Sequence, residues 1–177
     1  MIDLKEKSPR ILVIGDLMID HYLWGSCERI SPEAPVQVIN VGDESISLGG
    51  AGNVINNLNA LGANVDVISV IGRCEISNKL KALLDNIKVS TKYLITQKDR
   101  LISKKSRIIA SHQQVVRYDR ESTDEINDES QKSIIISFAK LITHYDAVLL
   151  SDYGKGVLTF ELTQSLISIA NKNNKKV

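Results

Sequence analysis

Short continuous apolar runs alternate with helical patterns along most of the chain. Apolar runs end in a small or acidic residue at residues 11–15, 65–72 and 147–152, which is typical of strands buried on both faces of a parallel sheet. Apolar residues at three- and four-residue spacing predict a helix over residues 51–61, and a second helix is predicted over residues 77–87. The pattern therefore predicts an α/β fold with a doubly wound parallel sheet.

Two more helices are predicted in the second half. One covers about residues 128–142, and the other runs to about residue 171 from Thr159, whose hydroxyl is suited to cap a first turn. Ser77 is the predicted cap of the helix over residues 77–87. The last segment, NKNNKKV, resembles the link from a helix into another buried strand, with Val177 as that strand's first residue. We therefore expect the chain to be an incomplete part of a longer protein.

The middle of the chain has a different pattern. The segments VQVINVG, KYLITQ, SKKSRIIA and QQVVRYD are short and β-prone, with polar interruptions, which favours antiparallel strands. We expect them to form a small β-sheet lid, with lid segments at about residues 34–48 and 92–120. The domain prediction is thus one unit over residues 1–177, a doubly wound sheet with a lid.

Composition and charge exclude several classes of function. The net charge is +1, which provides no global field for nucleic acid or an anionic membrane. The cysteines form no C-x-x-C pair and the histidines have no metal-ligand spacing, so we expect reduced thiols and no metal ligands. The charged N-terminus contains no targeting signal, and no run approaches the about 18–20 apolar residues of a membrane span. A cytoplasmic protein is expected, without nucleic-acid or membrane partners.

Two predicted strands end in carboxylates. Asp16 follows the first strand, Asp152 ends a later one, and Asp20 lies four residues beyond Asp16. Ligands of open α/β sheets collect at the carboxyl ends of the strands, and a carboxylate can accept hydrogen bonds from adjacent hydroxyls. The pair favours a polyol ligand, while the alternative is that each aspartate only caps a turn.

The stretch SLGGAGNVINNL, residues 47–58, places a glycine cluster before a helix. It lacks the third glycine of a dinucleotide fingerprint and the Gly-Lys-Ser/Thr of a Walker loop. Asn53 falls in the first helical turn, where its carboxamide and free backbone N–H groups can point outward. The loop therefore favours contact with a sugar, and the alternative is a tight turn that needs glycine.

Three cations mark the β-prone region. Lys105 and Arg107 are two residues apart on a predicted strand and share a face, and Arg117 lies on the next segment. Such a set can bind a substrate phosphate, but cations on edge strands also prevent aggregation. Both interpretations remain open on pattern alone. Residues 121–125 are interpreted as a solvated turn.

Five motifs occur in an order that resembles a known family: ILVIGDLMID, RISPEAPVQV, LGGAGNVINNLNALGA, HQQVVRYD and LSDYGKGVLT. Together they resemble the N-terminal half of a ribokinase-type sugar kinase of the phosphofructokinase-B superfamily. RISPEAPV and SDYGKGVL resemble its heptose 7-phosphate kinase branch most specifically. The resemblance implies ATP-dependent phosphorylation of D-glycero-β-D-manno-heptose 7-phosphate at C1, a step of lipopolysaccharide inner-core (ADP-heptose) synthesis.

The resemblance also implies site residues and partners. ATP with Mg²⁺ is the implied cofactor, with a monovalent cation as an open alternative, and pairing of lids implies a homodimer. Lys105 and Arg107 would face the sugar phosphate. The implied contacts to the sugar hydroxyls are Asp16, Asp20, Gly49, Gly50 and Asn53. The residues implied to line or support the same cleft are Gln114, Arg117, Asp152 and Lys155.

The chain departs from the family pattern at the catalytic base. That base is the Asp of a Gly-Ala-Gly-Asp motif, whereas Asn53 follows Gly50-Ala51-Gly52 here. No catalytic residue is therefore expected within this span, and the family base is expected beyond Val177. These 177 residues alone are expected to be inactive.

Alternative functions remain open. One is a kinase of another sugar, and another is a non-catalytic module for phosphosugar binding or dimerisation. A Rossmann dehydrogenase is disfavoured, because the glycine spacing does not match its fingerprint.

Overall fold

The computed structural model describes residues 8–177. The charged residues 1–7, which enter the prediction about a targeting signal, lie outside the described residues. The strands are β1 (Arg10–Gly15), β2 (Leu17–Ile30), β3 (Gln37–Gly50), β4 (Asn64–Ile71), β5 (Leu94–Thr96), β6 (Ser103–Ala110), β7 (Gln113–Arg120) and β8 (Ala147–Ser151). The helices are α1 (Ala51–Ala60), α2 (Glu75–Asn86), α3 (Asp128–Leu141) and α4 (Phe160–Lys172), with a short 3₁₀ turn at Ile142–His144.

The main sheet has the strand order β5-β4-β1-β8, and all of its pairings are parallel. Successive side chains of a strand point to opposite faces, and β1 shows this clearly. Leu12 and Ile14 enter one apolar cluster, and Val13 enters another. Continuous apolar strands are thus buried on both sides, which confirms the predicted doubly wound sheet.

Helices cover both faces of the main sheet. Ile134 and Phe138 of α3, with Leu166 of α4, belong to the cluster of Leu12 and Ile14. On the opposite face, helices α1 and α2 contribute apolar side chains to the cluster of Val13. The two crossover layers fix the direction of all four parallel strands. Their carboxyl ends therefore meet at one edge, where Asp16 and Asp152 lie.

A second sheet rises from that edge, with the order β3-β2-β6-β7. Only Asp16 separates the end of β1 from the start of β2, so the chain leaves the main sheet at Asp16. The pairings β2–β3 and β6–β7 are antiparallel, whereas β2–β6 is parallel. We call the side that carries Asp20, Lys105 and Arg107 the site face, and the side that carries His21 and Ser106 the back face.

Most predicted elements are confirmed, and three differ. Thr159 caps α4, because its Oγ1 accepts a hydrogen bond from the Leu162 N–H at 3.2 Å. Ser77 is not the cap of α2: the helix starts at Glu75, and the Ser77 hydroxyl donates to the Gly72 carbonyl. The antiparallel strand predicted at residues 92–97 is wrong, since β5 pairs parallel with β4. The sequence pattern did not predict strand β2. Its first residues are apolar like those of β1, and apolar and polar positions alternate only in part along its 14 residues.

The last residues differ from the prediction at Val177. The expected buried strand would begin at Val177, but the parallel bridge to Ala147 of β8 forms one residue earlier, at Lys176. The Val148 N–H donates to the Lys176 carbonyl at 2.8 Å, while the Val177 side chain is 52% exposed. Residues 176–177 thus lie beside β8, as a strand after α4 would, but Val177 itself is not buried.

Within residues 8–177, no helix has the length and apolar character needed to cross a membrane.

Candidate functional site

The site is built around the buried carboxylate of Asp16, which is 1% exposed. Its Oδ2 accepts hydrogen bonds from the N–H groups of Tyr153 at 2.8 Å and Lys155 at 3.1 Å. Its Oδ1 accepts a third from Val157 at 3.1 Å. The loop after β8 therefore wraps around this carboxylate. Turn capping, the alternative weighed for Asp16, describes these contacts, and direct contact with a ligand stays a prediction.

Arg100 holds the same loop from the other side. Its guanidinium, on a residue only 8% exposed, donates to the carbonyls of Lys155 at 2.6 Å and Asp124 at 3.2 Å. Burial lowers the pKa of Arg100, and the nearby Asp16 charge opposes that shift. Gly156 has φ of +80° and touches the Asp124 backbone so closely that a Cβ would overlap it. The loop after β8 and the segment after β7 are thus fastened together.

On the site face, an ion pair joins β2 to β6. The Asp20 carboxylate accepts from Arg107 Nη1 at 2.6 Å, and the Arg107 guanidinium lies 5.3 Å from the centre of the Tyr22 ring. A side chain at Gly49 would place its Cβ 2.5 Å from Asp20 Oδ2. Glycine at this position therefore leaves room for the Asp20 carboxylate.

Next to this pair lies a charge network of Lys105, Arg117, Asp119, Glu121 and Lys155. Lys105 Nζ is 3.2 Å from a carboxylate oxygen of Asp119 and 3.2 Å from one of Glu121. Lys155 Nζ is 2.9 Å from the other Glu121 oxygen, and Arg117 Nη2 is 2.7 Å from Asp119. The network joins three parts of the fold: β6, β7 and the loop after β8.

The cations of this network lower the pKa of both acids. The hydrogen bond from Arg117, with a further one from Lys105, lowers the pKa of Asp119 to about 2. The hydrogen bonds from Lys155 and then Lys105 lower the pKa of Glu121. Both carboxylates are therefore ionised at neutral pH, and the network presents fixed, alternating charges.

The glycine loop packs against the end of β1. Gly50 has φ of +56°, and a Cβ there would lie 2.6 Å from the Asp16 carbonyl oxygen. The same oxygen accepts a hydrogen bond from the Ala51 N–H at 2.9 Å. Asn53 is exposed in the first turn of α1, and its side chain makes no hydrogen bond to the described residues. The loop needs glycine for its own packing and leaves the Asn53 carboxamide free for a ligand.

The predicted site residues fall into two main groups. The structure gathers Asp20, Lys105, Arg107, Arg117 and Lys155 on or beside the site face. The residues at the adjoining edge of the main sheet are Asp16, Gly49, Gly50, Asn53 and Asp152.

Two predicted residues have few contacts at this site. Asp152 is exposed, and its Oδ1 accepts only the Gly154 N–H at 2.8 Å. Gln114 is exposed on β7 and pairs with Ile109 beyond a bulge, away from the Lys105–Asp119 position. Ile109 is two residues from Arg107 on β6, so Gln114 lies further along the sheet from the Arg107–Arg117 pair, and its role in the cleft stays a prediction.

The catalytic base is expected beyond Val177, the last residue of this sequence. The geometry at residues 8–177 bears on the binding of a ligand, and the position of the base stays a prediction.

Three residues of the site were not predicted: Arg100, Asp119 and Glu121. The interpretation of residues 121–125 as a solvated turn is wrong for Glu121, which pairs with two lysines. Asp119 could have been found, because it lies two residues from Arg117 on a strand and so shares its face. Arg100 gives no sequence signal, since its partners are backbone carbonyls of distant segments.

Comparison with known sequences identifies relatives. The family model described as "pfkB family carbohydrate kinase" matches residues 8–177. The chain is 67% identical over 171 residues to the bifunctional protein HldE of Aliarcobacter butzleri, which covers 97% of this chain. It is 58% identical over 174 residues to the protein of the same name from Sulfurimonas denitrificans, with 98% of this chain covered. The chain spans 36% of the length of each relative.

Comparison with solved structures shows the fold. A carbohydrate kinase from Agrobacterium tumefaciens superposes with a TM-score of 0.70 at 20% identity, over 94% of this chain and 52% of that one. Arabidopsis thaliana ribokinase, solved with ribose and ATP, superposes with a TM-score of 0.62 at 13% identity. The match covers 95% of this chain and 52% of that one. Both likenesses confirm a ribokinase-like α/β arrangement.

The central role of the Asp16 carboxylate predicts a large effect of a small change. An amide has one acceptor oxygen, so Asp16→Asn leaves at least one buried backbone N–H facing an NH₂ group. We expect a loss of about 2–3 kcal/mol in the free energy of unfolding, measured by urea denaturation. Asp152→Asn is the matched control and keeps its single acceptor, with an expected change below about 0.5 kcal/mol. Equal losses in the two variants would contradict the assigned role.

Proposed function

Because the chain belongs to the pfkB family of carbohydrate kinases, we propose that it forms the sugar-binding part of a heptose 7-phosphate kinase. The proposed reaction transfers a phosphoryl group from ATP to the C1 hydroxyl of D-glycero-β-D-manno-heptose 7-phosphate. The product, the 1,7-bisphosphate, would serve lipopolysaccharide inner-core synthesis in the cytoplasm. The motifs RISPEAPV and SDYGKGVL support heptose as the sugar.

One observation carries the proposal: four cationic side chains converge with the carboxylates of Asp20, Asp119 and Glu121 near the glycine loop. Lys105, Arg107 and Arg117 lie on one face of the second sheet, and Lys155 reaches the same network from the loop after β8. Guanidinium forks and ammonium groups bind phosphate oxygens through charge-assisted hydrogen bonds. A sugar phosphate offers these cations a ligand of opposite charge, which an unphosphorylated sugar does not.

The sugar itself is proposed to lie between this network and the start of α1. Asp20, held by Arg107 at 2.6 Å, has acceptor capacity left for sugar hydroxyls. Asn53 offers both an acceptor and a donor from the first turn of α1, and the small residues before it allow close approach of a ligand to the backbone. Asp16 and Arg100 contribute indirectly, because they hold the loop that carries Lys155.

ATP is the proposed phosphoryl donor, and its contacts, like the catalytic base, are proposed to lie outside the described residues. Arabidopsis thaliana ribokinase, which shares the fold, was solved with ATP. Within residues 8–177, no group of three or more His, Cys, Asp or Glu side chains could hold a metal ion. The proposed part of the described residues in the reaction is to bind and orient the sugar.

The test of the function is a kinase assay on the complete gene product, with ADP release measured for heptose 7-phosphate and for the unphosphorylated heptose. We expect kcat/KM to favour the phosphorylated sugar by at least about 100-fold, since each hydrogen bond to a charged group contributes about 1.5–3 kcal/mol. Equal turnover of both sugars would favour a kinase of another sugar. Binding of the phosphosugar without turnover would favour a non-catalytic module. Turnover by residues 1–177 alone would contradict their proposed inactivity.

Asn53 provides a sharper test of the sugar position. Asn53→Ala is expected to raise the KM for heptose 7-phosphate about tenfold, because one or two hydrogen bonds of about 1 kcal/mol are lost. Asn56→Ala is the matched control, since Asn56 is also exposed on α1 but lies one turn further from the loop. An unchanged KM in a folded Asn53→Ala variant would show that this side chain does not contact the sugar.

A homodimer through the second sheet is also proposed, with that sheet acting as a lid. Val41, Val116 and Tyr118 lie on the back face and are 48%, 45% and 47% exposed. Val116 and Tyr118 are two residues apart on β7, and exposed apolar side chains grouped in this way are typical of interaction surfaces. Tyr118→Glu is expected to convert a dimer of the complete gene product into a monomer, measured by light scattering. A monomeric unmodified protein would contradict the proposal.

A further inference from the structure

The Glu121 carboxylate bridges two ammonium groups that belong to different parts of the fold. One oxygen lies 3.2 Å from Lys105 Nζ on β6, and the other lies 2.9 Å from Lys155 Nζ on the loop after β8. We propose that Glu121 is a displaceable internal substitute for the substrate phosphate and thereby a specificity-determining residue. This inference rests on the proposed function, in which both lysines bind that phosphate.

Glu121 contacts the two lysines in the way that a phosphate group would contact them. Each ammonium donates to a separate oxygen of a single anionic group, which is also how a phosphate monoester bridges two cations. With Glu121 between them, the like charges of Lys105 and Lys155 stay close together without a ligand. A phosphate dianion brings one more negative charge than the carboxylate, so it can replace Glu121 between the two lysines.

The fold distinguishes Glu121 from the neighbouring acid, Asp119. Asp119 belongs to β7 and lies directly opposite Lys105 in the strand register, so its backbone cannot move without breaking the sheet. Glu121 is the first residue after β7, in a segment without regular structure over residues 121–127, and its side chain is 24% exposed. Arg100 fixes the Asp124 carbonyl, so the movement is confined to residues 121–123.

Displacement by a dianion gives discrimination. A neutral hydroxyl cannot separate Glu121 from two lysines, because it offers no charge in exchange. A phosphate can do so, and the released carboxylate turns toward solvent. The consequence is a cation site that stays closed to uncharged sugars and opens for phosphorylated ones, at the expense of some affinity for the correct substrate.

The test compares two substitutions that remove the same charge. Calorimetry measures the binding of inorganic phosphate and of heptose 7-phosphate to the complete gene product and to its Glu121→Gln and Asp119→Asn variants. Glu121→Gln is expected to bind both ligands about three- to tenfold more tightly, since two partly exposed ion pairs no longer compete. Asp119→Asn is expected to bind them no more tightly, because Arg117 and Lys105 lose their fixed partner.

A gain in affinity confined to Glu121→Gln supports displacement, if the same variant also binds unphosphorylated heptose more tightly. Equal gains in both variants would show a general effect of charge and overturn the inference, as would unchanged or weaker binding by Glu121→Gln. If the unmodified protein binds inorganic phosphate but not heptose 7-phosphate, the proposed function fails. If it binds the phosphosugar and Glu121→Gln gains nothing, only the role of Glu121 fails.

Discussion

The three hydrogen bonds to the buried Asp16 carboxylate are the contact on which the rest of the site depends. They tie the end of β1, in the middle of the main sheet, to the loop that follows β8. The same residue marks the point at which the chain turns from β1 into β2, so one side chain sets both the base of the second sheet and the path of the loop. A buried carboxylate is stable here because each contact is a charge-assisted hydrogen bond from the backbone.

Above Asp16, the charged side chains of the site are stabilised by pairing with one another and not by separate solvation of each side chain. Lys105, Arg107 and Lys155 each have a carboxylate partner at 2.6–3.2 Å, which restricts their motion before any ligand binds. Pre-organised cations lose less conformational entropy when they bind an anion. The arrangement requires two sheets, since β6 and the loop after β8 supply the opposite sides of the network.

Local pattern predicted the main sheet, the four crossover helices and the shared face of Lys105 and Arg107, because these follow from residue spacing within one element. It failed where a distant partner decides the outcome. β5 is parallel because it lies beside β4, Ser77 bonds to Gly72 instead of capping α2, and Glu121 pairs with lysines from two remote segments. The motif resemblance supplied Lys155, and neither route supplied Arg100, whose partners are two carbonyl groups.

The parallel pairing of β2 with β6 has a consequence for folding on the ribosome. The His21–Ser106 hydrogen bond within this pair joins residues 85 positions apart, so β2 and β3 emerge long before their partner is synthesised. At about 5–20 residues per second, the β2 edge stays open for several seconds. During that interval a nascent chain exposes an unpaired strand to other chains, and such edges template aggregation. Slow, non-local closure of the second sheet is therefore one step at which the nascent chain is open to such contacts.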